Sequence, residues 1–145
     1  MQRTENYMVM EFLSRSSNES FARTAVATFA AQLDPTLDEI GDIKTAVSEA
    51  VTNSIVHGYP NTLGKIVVKV RILEKNTLEI SVRDWGCGIE NIDKAREPMF
   101  TTGGEERSGM GFSIMESFTD RMRVKSSEGR GTTEVMQQRN APRMR

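Results

Sequence analysis

The sequence predicts a single domain of the α/β class. Its 145 residues are enough for one domain that buries a substantial core. Two segments in the first half of the chain carry apolar residues at helical spacing. Two strand-like runs then flank a short polar turn and predict an antiparallel hairpin. Helices and strands are therefore expected to share one core.

The N-terminal part is expected to form a strand followed by a helix. Tyr7–Leu13 is rich in apolar residues and predicts the first strand. Ser16 and Glu19 have the spacing of a capping box, so the first helix should begin there and continue through Leu33. Asp34-Pro35 should end it, because proline pushes the preceding residue out of helical dihedral angles. The predicted apolar stripe consists of Phe21, Ala25, Phe29 and Leu33.

A second helix is predicted from Leu37 to His57, with Gly58 as its stop. After the hairpin of residues 65–73 and 77–83, residues 84–110 form a long irregular tract with a short helix near 92–96, and such tracts are usually functional or disordered. A helix at 112–118 and strands at 122–127 and 132–136 complete the predicted domain, 1–136, before an expected disordered tail, 137–145. The apolar stripe of the second helix comprises Ile40, Ile43, Val47, Ala50 or Val51, and Ile55.

Composition and patterning disfavour several classes of function. Net charge is −1 with acids and bases interspersed, so direct binding of nucleic acid is not expected. No run of about 18 apolar residues occurs, and the N-terminus lacks the apolar stretch of a secretory signal. Cys87 is the single cysteine and is interpreted as a packing residue. A cytoplasmic protein without a membrane span is expected.

The polar face of the second helix carries the first candidate site residues. Glu49, Asn53 and His57 are each four residues apart, so they lie on one side of a helix. The carboxamide oxygen of Asn53 suits a hard cation such as Mg²⁺, which takes phosphate and water oxygens as its other ligands. Glu49 is then the candidate proton acceptor, provided that burial or placement strengthens it as a base. His57 is either a second polar ligand or a helix cap.

Glycine-bearing segments follow this helix. Asp84 directly follows a strand, and its carboxylate is suited to accept a hydrogen bond from an amino group such as that of adenine, with Gly86 and Gly88 letting the backbone approach a flat ring. The alternative is a turn with a structural carboxylate. Gly109-Met110-Gly111 offers backbone N–H groups to a phosphate, although no P-loop or Rossmann motif is present. The segment 98–108, which contains Arg107, either covers phosphates or is a solvated loop.

In this order the segments resemble the GHKL (Bergerat-fold) superfamily of ATP-binding proteins, which includes histidine kinases, gyrase-type topoisomerases and heat-shock chaperones. Glu49–Asn53 matches the N box, Asp84–Gly88 the first glycine box and Gly109–Gly111 the second, and Gly131-Thr132 matches the late element that borders adenine. Longer strings at 18–23, 48–58, 98–102 and 106–112 are similar to the family of sporulation anti-sigma F factors, which are serine protein kinases.

The resemblance implies a two-layer α/β sandwich, with a Bergerat-type mixed β-sheet and helices packed on one face. It also implies a homodimer that binds ATP and Mg²⁺, inhibits a sporulation sigma factor and phosphorylates a serine of its anti-anti-sigma antagonist. By position, Glu49 and Arg107 would be catalytic, Asn53 would hold Mg²⁺, and Arg23 would bind the protein partners. The implied nucleotide-binding set is Asn53, Asp84, Gly86, Gly88, Thr101, Thr102, Ser108, Gly109, Gly111 and Thr132.

Two other functions compete with the kinase. The first is a nucleotide-gated module that sequesters a sigma factor with little or no phosphoryl transfer. The presence of Glu49 favours the kinase, because binding alone requires no base. The second is the catalytic domain of a two-component histidine kinase, which is disfavoured because the only histidine, His57, lies inside the N box.

Overall fold

In the computed structural model, which describes residues 2–87, 121–127 and 129–140, two helices cover one face of a five-stranded antiparallel sheet. The predicted two-layer arrangement is therefore confirmed. The strand order across the sheet is β1-β2-β3-β5-β4. The elements are β1 (Thr4–Leu13), α1 (Ser17–Ala30), a 3-10 turn (Ala31–Leu33), α2 (Leu37–Asn53), a π-helical turn (Ser54–Gly58), β2 (Lys65–Leu73), β3 (Thr77–Asp84), β4 (Arg121–Ser127) and β5 (Gly131–Arg139).

All four pairings among the described strands are antiparallel. Over these residues the sheet is therefore antiparallel, whereas the resemblance implied a mixed sheet. Short turns join β2 to β3 and β4 to β5, whereas parallel neighbours need a crossover of a dozen or more residues. Lys75 and Asn76 take left-handed φ angles of 63° and 55° in the first turn, and Gly129 has φ of 78° in the second. These turns reverse the chain and impose the antiparallel pairing.

The core lies between the helices and the inner face of the sheet. In β2, residues 66, 68, 70 and 72 are buried and alternate with more exposed positions, as expected for a strand with one covered face. The buried residues of α2 confirm the centre of its predicted stripe, with both Ala50 and Val51 inside. They are Ile43, Ala46, Val47, Ala50 and Val51.

The predicted apolar stripe of α1 is wrong at its centre and at Phe21, while Phe29 and Leu33 pack against the margin of the core. The helix buries Ala22, Val26, Ala27 and Ala30, whereas Phe21 is 59% exposed. Small side chains on this face let α1 approach α2 and the sheet closely, which a line of phenylalanines would prevent. The larger apolar residues of the helix are displaced to the margin of the core or into solvent.

The capping box is also at a different helix from the one predicted. The Ser16 side chain makes no capping hydrogen bond, and Glu19 instead accepts one from Ser48 Oγ (2.6 Å), which ties α1 to α2. The box belongs to α2, where Thr36 Oγ1 accepts from Glu39 N (3.1 Å) and Glu39 Oε1 accepts from Thr36 N (2.8 Å). Contact between the helices thus takes the Glu19 carboxylate away from the helix end.

The helix predicted to reach His57 is present, but its winding changes after Asn53, because the π-helical turn begins at Ser54. Such turns insert one extra residue per turn and are frequent at functional sites. β5 continues through Arg139, into the segment expected to be a tail. The predicted helices near 92–96 and at 112–118 lie outside the described residues, as do residues 141–145.

Candidate functional site

A cluster of buried polar side chains lies where the end of α2, the end of β3 and the start of β5 meet. Asp84 is the last residue of β3, is 2% exposed and pairs with Thr132 of β5. Its Oδ1 accepts a hydrogen bond from Gly86 N (3.0 Å). Burial raises the pKa of Asp84, and the hydrogen bond from Gly86, together with the nearby Ser54 side chain and Thr132 backbone, partly offsets that rise.

Three glycines allow the backbone to close around Asp84. A Cβ atom on Gly58 would lie 2.9 Å from Asp84 Oδ1, and one on Gly86 would lie 2.0 Å from the carbonyl oxygen of Gly58. Gly131 has φ of 96°, and a Cβ there would lie 2.2 Å from the Asp84 carbonyl oxygen. Glycine is therefore required at position 86 because the backbone there packs against Gly58. From the sequence, this glycine was expected for another reason, the approach of the backbone to a flat ring.

Asn53 lies next to this cluster at the last position of α2. Asn53 and Ser54 are buried, with 7% and 1% exposure, and Glu49 is half-buried one turn earlier. Asn53 Nδ2 has no hydrogen-bond partner among the described residues. Asn53 thus lies at the Asp84 end of the sheet, and its carboxamide belongs to a more buried residue than the Glu49 carboxylate does.

Glu134 completes the cluster and was not predicted from the sequence. It is 1% exposed on β5, and its Oε2 has no hydrogen-bond partner within the described part of the chain. Burial, and secondly the charge of Asp84, raise its pKa well above the ordinary value, whereas the Asn53 side chain lowers it. The signal was available, because Thr132, Glu134 and Met136 alternate along β5 and Glu134 shares the inward face of the other two.

Tyr59 fixes the chain that follows β3, a role that the sequence did not reveal. Its hydroxyl donates to the Lys65 carbonyl oxygen (2.7 Å) and accepts from Trp85 N (2.8 Å). The Trp85 ring lies beneath two cations, 4.4 Å from Lys65 Nζ and 4.5 Å from Arg83 Cζ at its centroid. These contacts hold the first glycine box against the end of the π-helical turn.

The structure brings together four of the predicted site residues, Asn53, Asp84, Gly86 and Thr132, with Glu49 one turn away. Arg23 lies on α1, where its Nε is 3.6 Å from the Glu19 carboxylate. Cys87 is exposed, so its interpretation as a packing residue is wrong; its backbone N–H donates to the Gly58 carbonyl oxygen instead. The remaining candidates lie outside the described residues: Gly88, Thr101, Thr102, Arg107, Ser108, Gly109 and Gly111.

The cluster fits a hard cation that is bound by Asn53 and by oxygens of a bound ligand. Asn53 offers a neutral oxygen, and its buried, unpartnered Nδ2 leaves the carboxamide incompletely held. Among the described residues no group of three His, Cys, Asp or Glu side chains could hold a metal ion. A cation at Asn53 would therefore take most of its ligands from phosphate and water, which is the usual coordination of Mg²⁺ in nucleotide sites.

Comparison with known proteins identifies the family. The model of the histidine kinase-like ATPase domain matches residues 13–137. An anti-sigma F factor of Clostridium acetobutylicum is 54% identical over 138 residues, which cover 94% of this chain and 96% of that protein. The anti-sigma F factor of Thermoanaerobacter sp. (strain X514) is 59% identical over 128 residues, 88% of this chain and 89% of that one. The chain belongs to the anti-sigma F factor family.

Solved structures agree with this anti-sigma F family assignment at the level of the fold. The RsbU and RsbW domains of Rv1364c from Mycobacterium tuberculosis superpose with a TM-score of 0.66 at 21% identity, over 94% of this chain and 33% of that one. The mycobacterial sensor histidine kinase MprB gives a TM-score of 0.58 at 15% identity, over 95% and 100% of the two chains. Family membership supports an anti-sigma role and a kinase-like domain that binds ATP. No described helix is long and apolar enough to cross a membrane.

Proposed function

We propose that this anti-sigma factor is also a Mg-ATP-dependent serine kinase. It binds and inhibits a sporulation sigma factor in the cytoplasm and transfers the γ-phosphoryl group of ATP to a serine of an anti-anti-sigma protein. One observation carries the proposal: buried Asn53 lies beside the Asp84 cluster, with Glu49 one helical turn before it. The proposed metal ligand and nucleotide acceptor therefore lie close together, and the proposed base is one helical turn before the metal ligand.

The adenine is assigned to the Asp84 end of the cluster. The Asp84 carboxylate accepts a hydrogen bond from the amino group of adenine, and this interaction is strong because the site is buried. Thr132 pairs with Asp84 in the sheet, and its hydroxyl lies 2.8 Å from Ser126 Oγ. Gly88 is also assigned to the adenine contact, and the phosphate contacts are assigned to Thr101, Thr102, Ser108, Gly109 and Gly111.

Asn53 Oδ1 is assigned to Mg²⁺. The cation, when bound, neutralises charge on the phosphates of the nucleotide. Because one protein oxygen suffices when phosphates and waters supply the others, the site needs no cluster of carboxylates. Glu49, which is half-buried one turn away, can then act on the substrate.

The transfer uses Glu49 as the proton acceptor. The hydroxyl oxygen of the substrate serine attacks the γ-phosphorus, and the bond to the bridging oxygen of the β-phosphate breaks as the new O–P bond forms. Glu49 takes the hydroxyl proton, ADP leaves, and phosphoserine remains on the partner. Arg107 is assigned to the charge that develops on the transferred group.

The sheet edge supports the proposal that the protein is a homodimer. β1 is the outer strand of the described sheet, and its outward-facing Tyr7, Val9 and Leu13 are 61%, 52% and 49% exposed. Apolar side chains along an uncovered edge strand favour pairing with another chain. Arg23, on the exposed side of α1, is assigned to the contact with the sigma factor and the antagonist.

Labelled ATP and a candidate anti-anti-sigma protein test the proposal, with Glu49→Gln compared with Glu74→Gln. Glu74 lies at the β2–β3 turn, at the opposite end of the strands from the cluster. We expect label on a partner serine, a loss of about 10²-fold or more in Glu49→Gln, and unchanged nucleotide affinity. Transfer that survives in Glu49→Gln would exclude Glu49 as the base. Nucleotide and sigma binding without any transfer would leave the sequestering module as the function.

A further inference from the structure

Glu134 has no part in the proposed reaction, yet it is among the most deeply buried polar residues of the cluster. It points inward from β5 between Thr132 and Met136 and is 1% exposed. A carboxyl group in such a place loses its hydration and needs hydrogen bonds to compensate. One of its oxygens, Oε2, has none among the described residues. Its position therefore needs an explanation other than packing.

The neighbouring Asn53 has a hydrogen-bond donor that lacks an acceptor. Its Nδ2 donor is buried and makes no hydrogen bond within the described part of the chain. The Asn53 side chain is close enough to Glu134 to lower the pKa of its carboxyl, although the two groups do not reach hydrogen-bond geometry. Leaving a buried polar group without a hydrogen bond is unfavourable, so a small movement that joins donor and acceptor is favoured.

A hydrogen bond from Asn53 to Glu134 would also fix the orientation of the Asn53 carboxamide. The group has an oxygen that can bind a cation and an NH₂ that cannot, and the partner of the NH₂ decides where the oxygen points. Ligands of metal ions are commonly oriented in this way by a second residue. Because Glu134 is the more deeply buried of the two, at 1% against 7% exposure, a hydrogen bond to it from Nδ2 would turn Asn53 Oδ1 away from the more buried side.

We propose that Glu134 is a positioning residue that holds Asn53 through its Nδ2 and so directs Asn53 Oδ1 to the cation of the bound nucleotide. The inference rests on the proposed function, because it takes Asn53 to be the cation ligand. Substitution by an apolar residue can distinguish this role from a purely structural one without a large loss of folding stability. Replacing a buried, incompletely bonded carboxyl by an apolar side chain of similar size is often neutral or stabilising.

Nucleotide binding with and without the metal separates these roles. A fluorescent ATP analogue is titrated into the full chain in EDTA and at increasing Mg²⁺, for the unaltered protein, Glu134→Leu, Glu134→Gln and Met136→Leu. We expect Glu134→Leu to need about 10–100-fold more Mg²⁺ for half-maximal enhancement of binding, with affinity in EDTA changed less than about twofold. Glu134→Gln keeps an acceptor oxygen and should restore most of the Mg²⁺ response. Met136→Leu, on the same face of β5, should leave it unchanged.

An Asn53→Ala background gives a second test. If Glu134 acts through Asn53, Glu134→Leu should cause no further loss of the Mg²⁺ response there. A full loss on top of Asn53→Ala, or a normal Mg²⁺ response in Glu134→Leu, would overturn the inference. Equal damage from Glu134→Gln and Glu134→Leu would overturn it too. Absence of any Mg²⁺ response in the unaltered protein would instead overturn the proposed function.

A measurement on the unaltered protein covers the case in which Glu134→Leu does not fold. The Asn53 NH₂ protons are observed by NMR and assigned by their loss in Asn53→Asp. We expect their exchange with solvent to slow when the Mg-nucleotide binds, because they then donate to Glu134. Unchanged exchange on binding would show that no such hydrogen bond forms and would overturn the inference.

Discussion

Gly58 lies directly against the Asp84 carboxylate, so close that a Cβ atom on the glycine would be 2.9 Å from Oδ1 and 3.1 Å from Oδ2. The contact joins the end of the π-helical turn to the end of β3. It also means that the carboxylate assigned to adenine is positioned by a residue that contributes no side chain of its own.

Gly58→Ala should therefore weaken nucleotide binding with little loss of fold. The added methyl group must displace the Asp84 carboxylate, because the neighbouring backbone carbonyl of Gly58 is in turn held by Cys87 N (2.9 Å). We expect about a tenfold or greater loss of ATP and ADP affinity, equivalent to about 1.4 kcal/mol. Gly41→Ala is the matched control, since a Cβ there meets nothing within 4 Å. Equal affinities for the two variants would contradict the positioning of Asp84 by Gly58.

Asp84→Asn should lower the affinity for adenine nucleotides more than for guanine nucleotides. The substitution keeps the shape of the side chain but allows an NH₂ group to face the amino group of adenine, so a hydrogen bond is replaced by two opposed donors. A loss of about 1–3 kcal/mol in ATP binding is expected, measured by isothermal titration calorimetry. Unchanged affinity for both ATP and ADP would remove Asp84 from the adenine site.

Glu134 should make the folded state less stable as pH rises. Its pKa is raised in the folded protein by burial and by Asp84, so in the interval above the ordinary value of 4.5 the folded state binds the proton more tightly than the unfolded state. The favourable contribution is complete below that value and is lost as pH rises towards the folded pKa. Its slope is at most about 1.4 kcal/mol per pH unit.

Urea unfolding of Glu134→Gln and the unaltered protein between pH 5 and pH 8 measures this effect. We expect the variant to gain stability relative to the unaltered protein across that interval, because glutamine has no proton to lose. The raised pKa of Asp84 is common to both proteins and cancels in the difference. A stability difference that stays constant with pH would contradict the raised pKa of Glu134.

The two helix starts should respond differently to the loss of a hydroxyl group. Thr36→Ala removes a side chain that accepts from Glu39 N, so it should cost about 0.5–2 kcal/mol of stability. Ser16→Ala removes a hydroxyl with no capping hydrogen bond and should cost less than about 0.5 kcal/mol. Denaturant midpoints of the two variants make the comparison. A larger loss of stability in Ser16→Ala than in Thr36→Ala would show that the capping box is at the start of α1, as the spacing of Ser16 and Glu19 predicts.

Local patterns along the chain were sufficient for much of this architecture. The apolar period of α2 and the alternation and turn of the β2–β3 hairpin depend on neighbours within a few residues, and both were predicted. Asn53 and Asp84 were also proposed as site residues from the sequence, because the types and order of their motifs resemble an ATP-binding family. Whether they carry out the assigned chemistry is left to the experiments above.

The tertiary structure decided the features that depend on distant partners. Glu19 accepts a hydrogen bond from Ser48 instead of capping its helix, and Phe21 lies outside a buried face formed by three alanines and Val26. Glu134 becomes part of the cluster because β5 pairs with β3 in a register that sets Glu134 opposite Val82 and Thr132 opposite Asp84. The like charge of Asp84 next to Glu134 follows from that register, whereas the alternation along β5 indicates only that Glu134 faces inward.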